Sequence, residues 1–356
     1  MKKKISKKKL ALIITAAAIV LLTAVLWITA VMIYNENFDK RFETYEPQRY
    51  YVEDFEGLTR EEYSFTSDKG QKLAGYMYTA ENTDGKGIVV MAHGFGGGGH
   101  NSYMDVINFF AHRGYYVFAY DATACDESEG DGVGGLPQGV IDLDHALDFV
   151  EQSGNFPELP IVLFGHSWGG YSACNVLSYH PEVKAVAECS GWNKSSDMFE
   201  AEGRRQAGAF IDVLMPFVKL HEYIKYGEYA ENTALDGFAA SDAAVMVIHS
   251  TDDNVVPFEK GFGTFEEKYK DDPRFTFVRY EDKGHSYICL DRKKIDKFNE
   301  GFDTWRDGLG YDIEKDKERF ADDKAGYFYD HHEEWCDMLD EEMFADIADF
   351  YDTNIA

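Results

Sequence analysis

From residue 88 onward, short apolar runs alternate with stretches of helical periodicity, and this alternation constrains the fold more than any other feature. Ile88–Ala92 and Tyr115–Tyr120 read as strands buried on both faces, and Ile161–Phe164, Val183–Glu188, Ala244–His249 and Phe275–Tyr280 as later strands. Between them, Ser102–His112 and residues 138–152 carry helical patterns, the second with Val140, Leu143, Leu147 and Val150 on one face. Strands separated by helices predict an α/β fold: a mostly parallel central sheet with helices on both faces and ligand sites beyond the carboxyl ends of the strands. Tyr63–Thr66 and Leu73–Thr79 form an expected leading pair around Ser67-Asp68-Lys69-Gly70, and Asn82-Thr83-Asp84-Gly85 an expected turn. The alternation lapses over about 191–242, where a mainly helical insertion predicts a cap above the site. Residues 293–356 are acidic, aromatic and helical in pattern, a C-terminal extension to a domain over 61–292.

The N-terminus obeys different physics. Six lysines lie within residues 2–9, and an apolar run follows from Leu10 to Tyr34, broken only by Thr15, Thr23 and Thr29. As a helix it reaches roughly 37 Å at about 1.5 Å per residue, enough to cross a bilayer core with some tilt. A cleaved signal peptide is the competing reading, but such apolar regions are usually about 7–15 residues long and end at small residues. Trp27, Ile28 and Met32 stand where that site would be. The expectation is therefore an uncleaved single-pass anchor over 1–34, with the lysines cytoplasmic and the remainder extracytoplasmic. Residues 35–60 read as a juxtamembrane connector.

Charge narrows the partners. The chain has 35 Lys and Arg against 64 Asp and Glu; with six lysines and no acid in the first 34 residues, residues 35–356 hold 29 basic against 64 acidic residues. Such a body is repelled by nucleic acid and by anionic headgroups, and reads as a solubilising surface. The five cysteines (Cys125, Cys174, Cys189, Cys289, Cys336) lack metal-ligand spacing and read as small apolar residues, with no cofactor or metal expected.

The chemistry starts at Gly165-His166-Ser167-Trp168-Gly169-Gly170. Gly-x-Ser-x-Gly alone is a short pattern, but here a strand precedes it and a helix follows. Glycines two before and two after the serine allow a sharp turn that exposes the Ser167 hydroxyl and aims the Trp168 N–H at a reacting carbonyl oxygen. The base expected for Ser167 is His285, in Asp282-Lys283-Gly284-His285-Ser286 just after the last strand. The acid is Asp253, in Asp252-Asp253-Asn254-Val255-Val256-Pro257 after the preceding strand, with Asp252 the adjacent alternative. The second oxyanion donor is expected at Phe95, within His93-Gly94-Phe95-Gly96-Gly97. A phosphate loop is the rival for that glycine run, but the Lys-Ser/Thr of a P-loop is missing. His93 reads as structural.

Together these segments resemble the α/β-hydrolase superfamily across about residues 60–292, and bacterial serine aminopeptidases, monoacylglycerol lipases and carboxylesterases in particular. Relatives of that kind often carry Asp-x-Arg-Gly-His-Gly-x-Ser-x-Gly after the fourth strand. Here the stretch is Asp121-Ala122-Thr123-Ala124-Cys125-Asp126-Glu127-Ser128-Glu129-Gly130, matching at its ends and departing at its centre. The resemblance implies acyl transfer from an ester or amide to water.

The expected activity is ester hydrolysis on a small-molecule acyl substrate. Cleavage of short peptides is the alternative, and a surface binding protein that keeps the fold without the chemistry is the reading from another class. The cap aromatics Trp192, Phe199, Phe210, Phe217, Tyr223, Tyr226 and Tyr229 read mostly as cap core, Arg204 and Arg205 as solvated helix charges, and His331-His332-Glu333-Glu334 as part of a solvated acidic helix.

Overall fold

The computed structural model describes residues 6–81 and 83–356. Lys2, Lys3 and Lys4 of the basic stub and Asn82 of the expected turn lie outside the described residues. Eight strands, β1 (Thr59–Thr66), β2 (Lys72–Thr79), β3 (Ile88–Ala92), β4 (Tyr116–Tyr120), β5 (Ile161–His166), β6 (Ala185–Cys189), β7 (Ala244–Ser250) and β8 (Phe275–Tyr280), form one sheet in the order β1-β2-β4-β3-β5-β6-β7-β8. The pairs β1/β2 and β2/β4 are antiparallel and all others parallel. The expected strands lie where the apolar runs placed them, with β1 starting four residues earlier at Thr59 and β6 shifted to Ala185–Cys189. Strands β3, β5 and β6 are buried along their whole length, as a sheet covered on both faces requires.

The long N-terminal helix α1 runs over Lys7–Phe38, past the expected end of the apolar run, so the first residues of the connector are helical. Between the strands come α2 (Met104–His112), α3 (Gln138–Gln152) and α4 (Trp168–Val176); the cap holds α5 (Ser195–Ala207), α6 (Ile211–Tyr226) and α7 (Ala234–Ala240); α8 (Phe262–Tyr269) precedes β8. The tail forms α9 (Arg292–Asp307), α10 (Lys317–Asp330), α11 (His332–Trp335) and α12 (Glu341–Ile355). Helix α12 is a layer of the sandwich rather than an appendage. Tyr351, fully buried, donates from its hydroxyl to the Leu163 carbonyl of β5 at 2.7 Å, and Phe344 packs against Phe110 and Phe164.

The stretch that departs from the hydrolase pattern explains how the connector is held. Phe42 pairs with Cys125 across a parallel bridge, its N–H donating to the Ala124 carbonyl at 2.9 Å and its carbonyl accepting from the Asp126 N–H at 3.0 Å. Arg41 donates to the carbonyls of Ser128 (2.9 Å), Gly130 (3.2 Å) and Asp126, while the Asp126 carboxylate accepts from Thr44 N–H and Oγ1 (both 2.6 Å) and from Gly99 N–H (2.9 Å). Residues 39–44 are thereby fixed against the glycine-rich turn that borders the site.

Of the cap aromatics, Trp192, Phe199 and Tyr226 are buried and Phe217 and Tyr229 half-buried, as expected of core, but Phe210 and Tyr223 point to the outside at 53% and 51% exposure. The four cysteines Cys125, Cys174, Cys189 and Cys289 are buried free thiols.

Candidate active site

The turn at Ser167 is a matter of close approach. A Cβ at Gly165 would meet the Gly169 backbone, and one at Gly169 would meet the Ala92 carbonyl, so both positions admit only glycine. Strand β5 can therefore pass directly into α4, with Ser167 between them at φ +56°, a conformation that L side chains rarely adopt. The Ser167 N–H is tied to the Cys189 carbonyl of β6 at 2.7 Å, which holds the strained residue at the sheet edge.

Three loops beyond the carboxyl ends of β5, β7 and β8 converge there. The Ser167 hydroxyl donates to His285 Nε2 at 2.8 Å, and His285 Nδ1–H donates to Asp253 Oδ2 at 2.7 Å. That second bond fixes the imidazole tautomer that leaves Nε2 free to accept. The Asp253 side chain is fully buried. Burial alone would raise its pKa, but hydrogen bonds from His249 and His285 and the Val255 N–H hold it well below the usual carboxylate range. Its Oδ1 accepts from the N–H groups of Val255 and Val256, both at 2.8 Å. Asp252, the alternative, does turn work instead: Oδ1 accepts from Ser250 Oγ at 2.5 Å and from Gly284 N–H at 2.9 Å.

Trp168 opens α4, so its N–H is among the helix's first four, which have no intrahelical acceptor. Its indole Nε1–H is used elsewhere, on the Leu136 carbonyl at 2.8 Å. Phe95 lines the cleft beside Ser167 and packs edge-on against Trp168. His93 is structural: Nδ1–H donates to the Gly94 carbonyl and Nε2 accepts from Ala122 N–H at 3.0 Å, joining the turn to the end of β4.

Two histidines near the site carried no signal of their own in the sequence. His249, fully buried at the end of β7, sets Nε2 3.2 Å from Asp253 Oδ2. His166 accepts at Nδ1 from Tyr103 Oη at 2.8 Å and donates from Nε2 to the His285 carbonyl at 3.1 Å, and burial pushes its pKa down to about 3. Their positions beside Ser167 and at the end of the strand that leads to Asp253 were readable; their contacts across the fold were not.

Ser167 borders two chambers. The larger, about 390 Å³, is lined by Tyr50, Tyr103, Asp105, Leu290 and Trp335. The smaller, about 230 Å³, is lined by Asn37 and Phe38 of α1, Leu136, Val255, and Trp192, Met198, Glu202 and Arg205 of the cap. Arg205 is thus part of the cleft wall, paired with Glu202 and donating to the Asn254 carbonyl at 3.0 Å, whereas Arg204 stays on the surface with Glu200 and Asp212. His332 is not simply solvated: Nε2 lies 2.9 Å from Asp54 Oδ2 and 3.6 Å from Cys336 Sγ.

A sheet of this order, with a serine on a strained strand-to-helix turn and an aspartate and a histidine hydrogen-bonded to it in series from later loops, is the α/β-hydrolase fold. Residues 83–234 match the serine aminopeptidase family. A proline iminopeptidase of Clostridioides difficile is 29% identical over 168 residues, 46% of this chain and 55% of the relative, so the chain spans about half the length of that curated protein. An esterase of Pyrococcus furiosus superposes with a TM-score of 0.58 at 16% identity, covering 90% of this chain and 98% of the esterase. A second crystal form of it gives 0.54 at 20% identity, covering 75% and 95%.

Proposed function

We propose that this chain is a membrane-anchored serine hydrolase that cleaves an ester through Ser167, His285 and Asp253. The observation that carries the reading is the continuous hydrogen-bonded series from the Ser167 hydroxyl through His285 to the buried Asp253 carboxylate. Ser167 attacks the acyl carbon as His285 takes its proton, and Asp253 stabilises the imidazolium. The N–H groups of Trp168 and Phe95 receive the oxyanion, each worth about 3 kcal/mol. His285 then returns the proton to the leaving group, and water releases the acyl group by the same route. The apolar walls of the smaller chamber suit the acyl part, and the larger chamber the leaving group.

A second reading, an aminopeptidase on short peptides, draws support from the iminopeptidase relative and from Asp105. Its buried carboxyl lines the larger chamber, where it would meet a free α-ammonium. Glu202, the acid of the smaller chamber, is already paired with Arg205. Helix α1 is long and apolar enough to cross a membrane, and the lysines at its start favour an orientation with the hydrolase domain on the extracytoplasmic side.

A fluorophosphonate probe should label the wild-type chain and not Ser167→Ala; an unlabelled wild type would overturn the hydrolase reading. With labelling in hand, turnover of p-nitrophenyl esters against amino-acyl anilides separates the two substrates. Anilide preference lost in Asp105→Asn would establish the peptidase.

A further inference from the structure

Helix α1 changes character partway along. Every residue from Ser6 to Val25 is exposed, whereas from Leu26 onward one face is covered, with Ala30, Tyr34 and Phe38 buried at four-residue spacing. What covers it is the cap. Trp27 packs edge-on against Phe217 and His221, Tyr34 stacks on Phe199 and donates to Glu222 at 2.7 Å, and Asp39 faces Lys225. These contacts advance together along both helices, so α1 and α6 run in the same direction.

Length then decides where the cap sits, given the anchored reading above. The free apolar stretch Leu10–Val25 spans only about 24 Å, against a hydrocarbon core of roughly 30 Å. About 20 residues are needed, which carries the boundary to Thr29, two residues past Trp27 and its contact with Phe217. Residues of α6 before Phe217 lie on the membrane side of that level. They include Val213, and Phe210 immediately precedes them, at 48% and 53% exposure. Val213, Phe217, Leu220 and Ile224 form one helical stripe beside the α1 contact. Asp212 and Lys219 flank it, with Asp212 paired to Arg204, as expected for a helix at the interface rather than in mid-bilayer.

We infer that the cap dips into the leaflet distal to Lys7–Lys9, Phe210, Val213 and Phe217 reaching the hydrocarbon and Leu220 and Ile224 the headgroups. Bilayer lipid, rather than a second copy of the chain, covers the stripe, because the stripe continues the lipid-facing surface of α1 through Ile28 and Met32, which are 56% and 66% exposed. Phe38, nine residues past Thr29, then holds the smaller chamber about 13 Å above the boundary. That is within reach of an acyl chain still rooted in the leaflet.

The test uses the full chain in phosphatidylcholine vesicles, with Cys336→Ser removing the one partly exposed thiol and single nitroxides at Leu21→Cys, Val213→Cys, Ile224→Cys and Lys315→Cys. Collision with dissolved oxygen should exceed collision with a water-soluble nickel chelate at positions 21 and 213. The ratio should be lower at 224 and reversed at 315. A lipid-facing label at 21 with a water-facing label at 213 overturns the inference and leaves the anchor standing. A water-facing label at 21 removes the anchor reading itself. Broadening at 213 that vanishes on dilution with unlabelled chain, without oxygen preference, assigns the stripe to a second copy and also overturns the inference.

Discussion

His249 Nε2 lies 3.2 Å from Asp253 Oδ2, the same oxygen that receives His285 Nδ1–H at 2.7 Å. Asp253 Oδ2 therefore faces two imidazoles, hydrogen-bonded to His285 and approached by His249, whose Nε2–H also donates to the Val256 carbonyl at 3.3 Å, and both help to keep it ionised. Removing His249 as a donor makes the carboxylate more basic, so the coupled Asp253–His285 pair holds its proton more tightly. His249→Leu should shift the acid limb of the kcat/KM profile to higher pH and lower kcat roughly 10-fold, about 1.4 kcal/mol in the barrier. A drop in stability with an unmoved pH limb would show that His249 only fills space.

Glu188 offers a separate pH effect. It is fully buried on β6; Oε2 accepts from Gly191 N–H at 2.7 Å and Oε1 has no partner. Burial raises its pKa from 4.5 to about 7, against the opposing influence of His249 and the Gly191 bond. For an acid with a raised folded value the charged form is penalised in the native state. The penalty is absent below pH 4.5, grows as pH rises toward 7 and is constant above. Glu188→Gln should thus raise the unfolding free energy at pH 8 by an amount on the order of 3 kcal/mol, read as a higher urea midpoint, and change it little at pH 4. An equal effect at both pH values would contradict this account.

Much of the fold was legible because it rests on local patterning. Ile88–Ala92 and Ile161–Phe164 could only be buried strands, and the glycines around Ser167 carried their own steric reason. Long-range pairing was not legible. Phe42 meets Cys125, and Tyr34 meets Glu222, through contacts 83 and 188 residues apart that no local period encodes. The same holds for His249, whose partner is four residues away but whose meaning depends on His285 arriving from beyond β8. Arg205 read as a solvated charge because its helix is polar, yet the cap folds that face over Ser167.

Two glycines should respond oppositely to the same substitution. At Gly169 a methyl would meet the Ala92 carbonyl, rigid backbone in the central sheet, so Gly169→Ala should cost well over 1 kcal/mol and abolish turnover. Gly326 lies within α10 with open space where a Cβ would stand. Gly326→Ala should therefore stabilise by about 0.5–1 kcal/mol through helix propensity, with turnover unchanged. Thermal unfolding of the two variants beside wild type checks both signs.

Helix α1 is also predicted to be a working part of the hydrolase fold. Glu222 Oε1 accepts from Tyr34 at 2.7 Å and from Ser195 Oγ at 2.5 Å, and four residues after Tyr34 the Phe38 ring enters the smaller chamber. Tyr34→Phe leaves the buried carboxyl one donor short, which should cost about 1–3 kcal/mol of stability. It should raise KM for an acyl ester more than it lowers kcat, because the wall moves while the Ser167–His285 pair does not. Removing residues 1–25, all exposed where described, should yield a chain that still hydrolyses a soluble ester at near wild-type kcat/KM. Removing residues 1–38 strips Ala30, Tyr34 and Phe38 from the main core and one wall from the cleft, and should abolish that activity. Equal activity of the two truncations would reduce α1 to a tether.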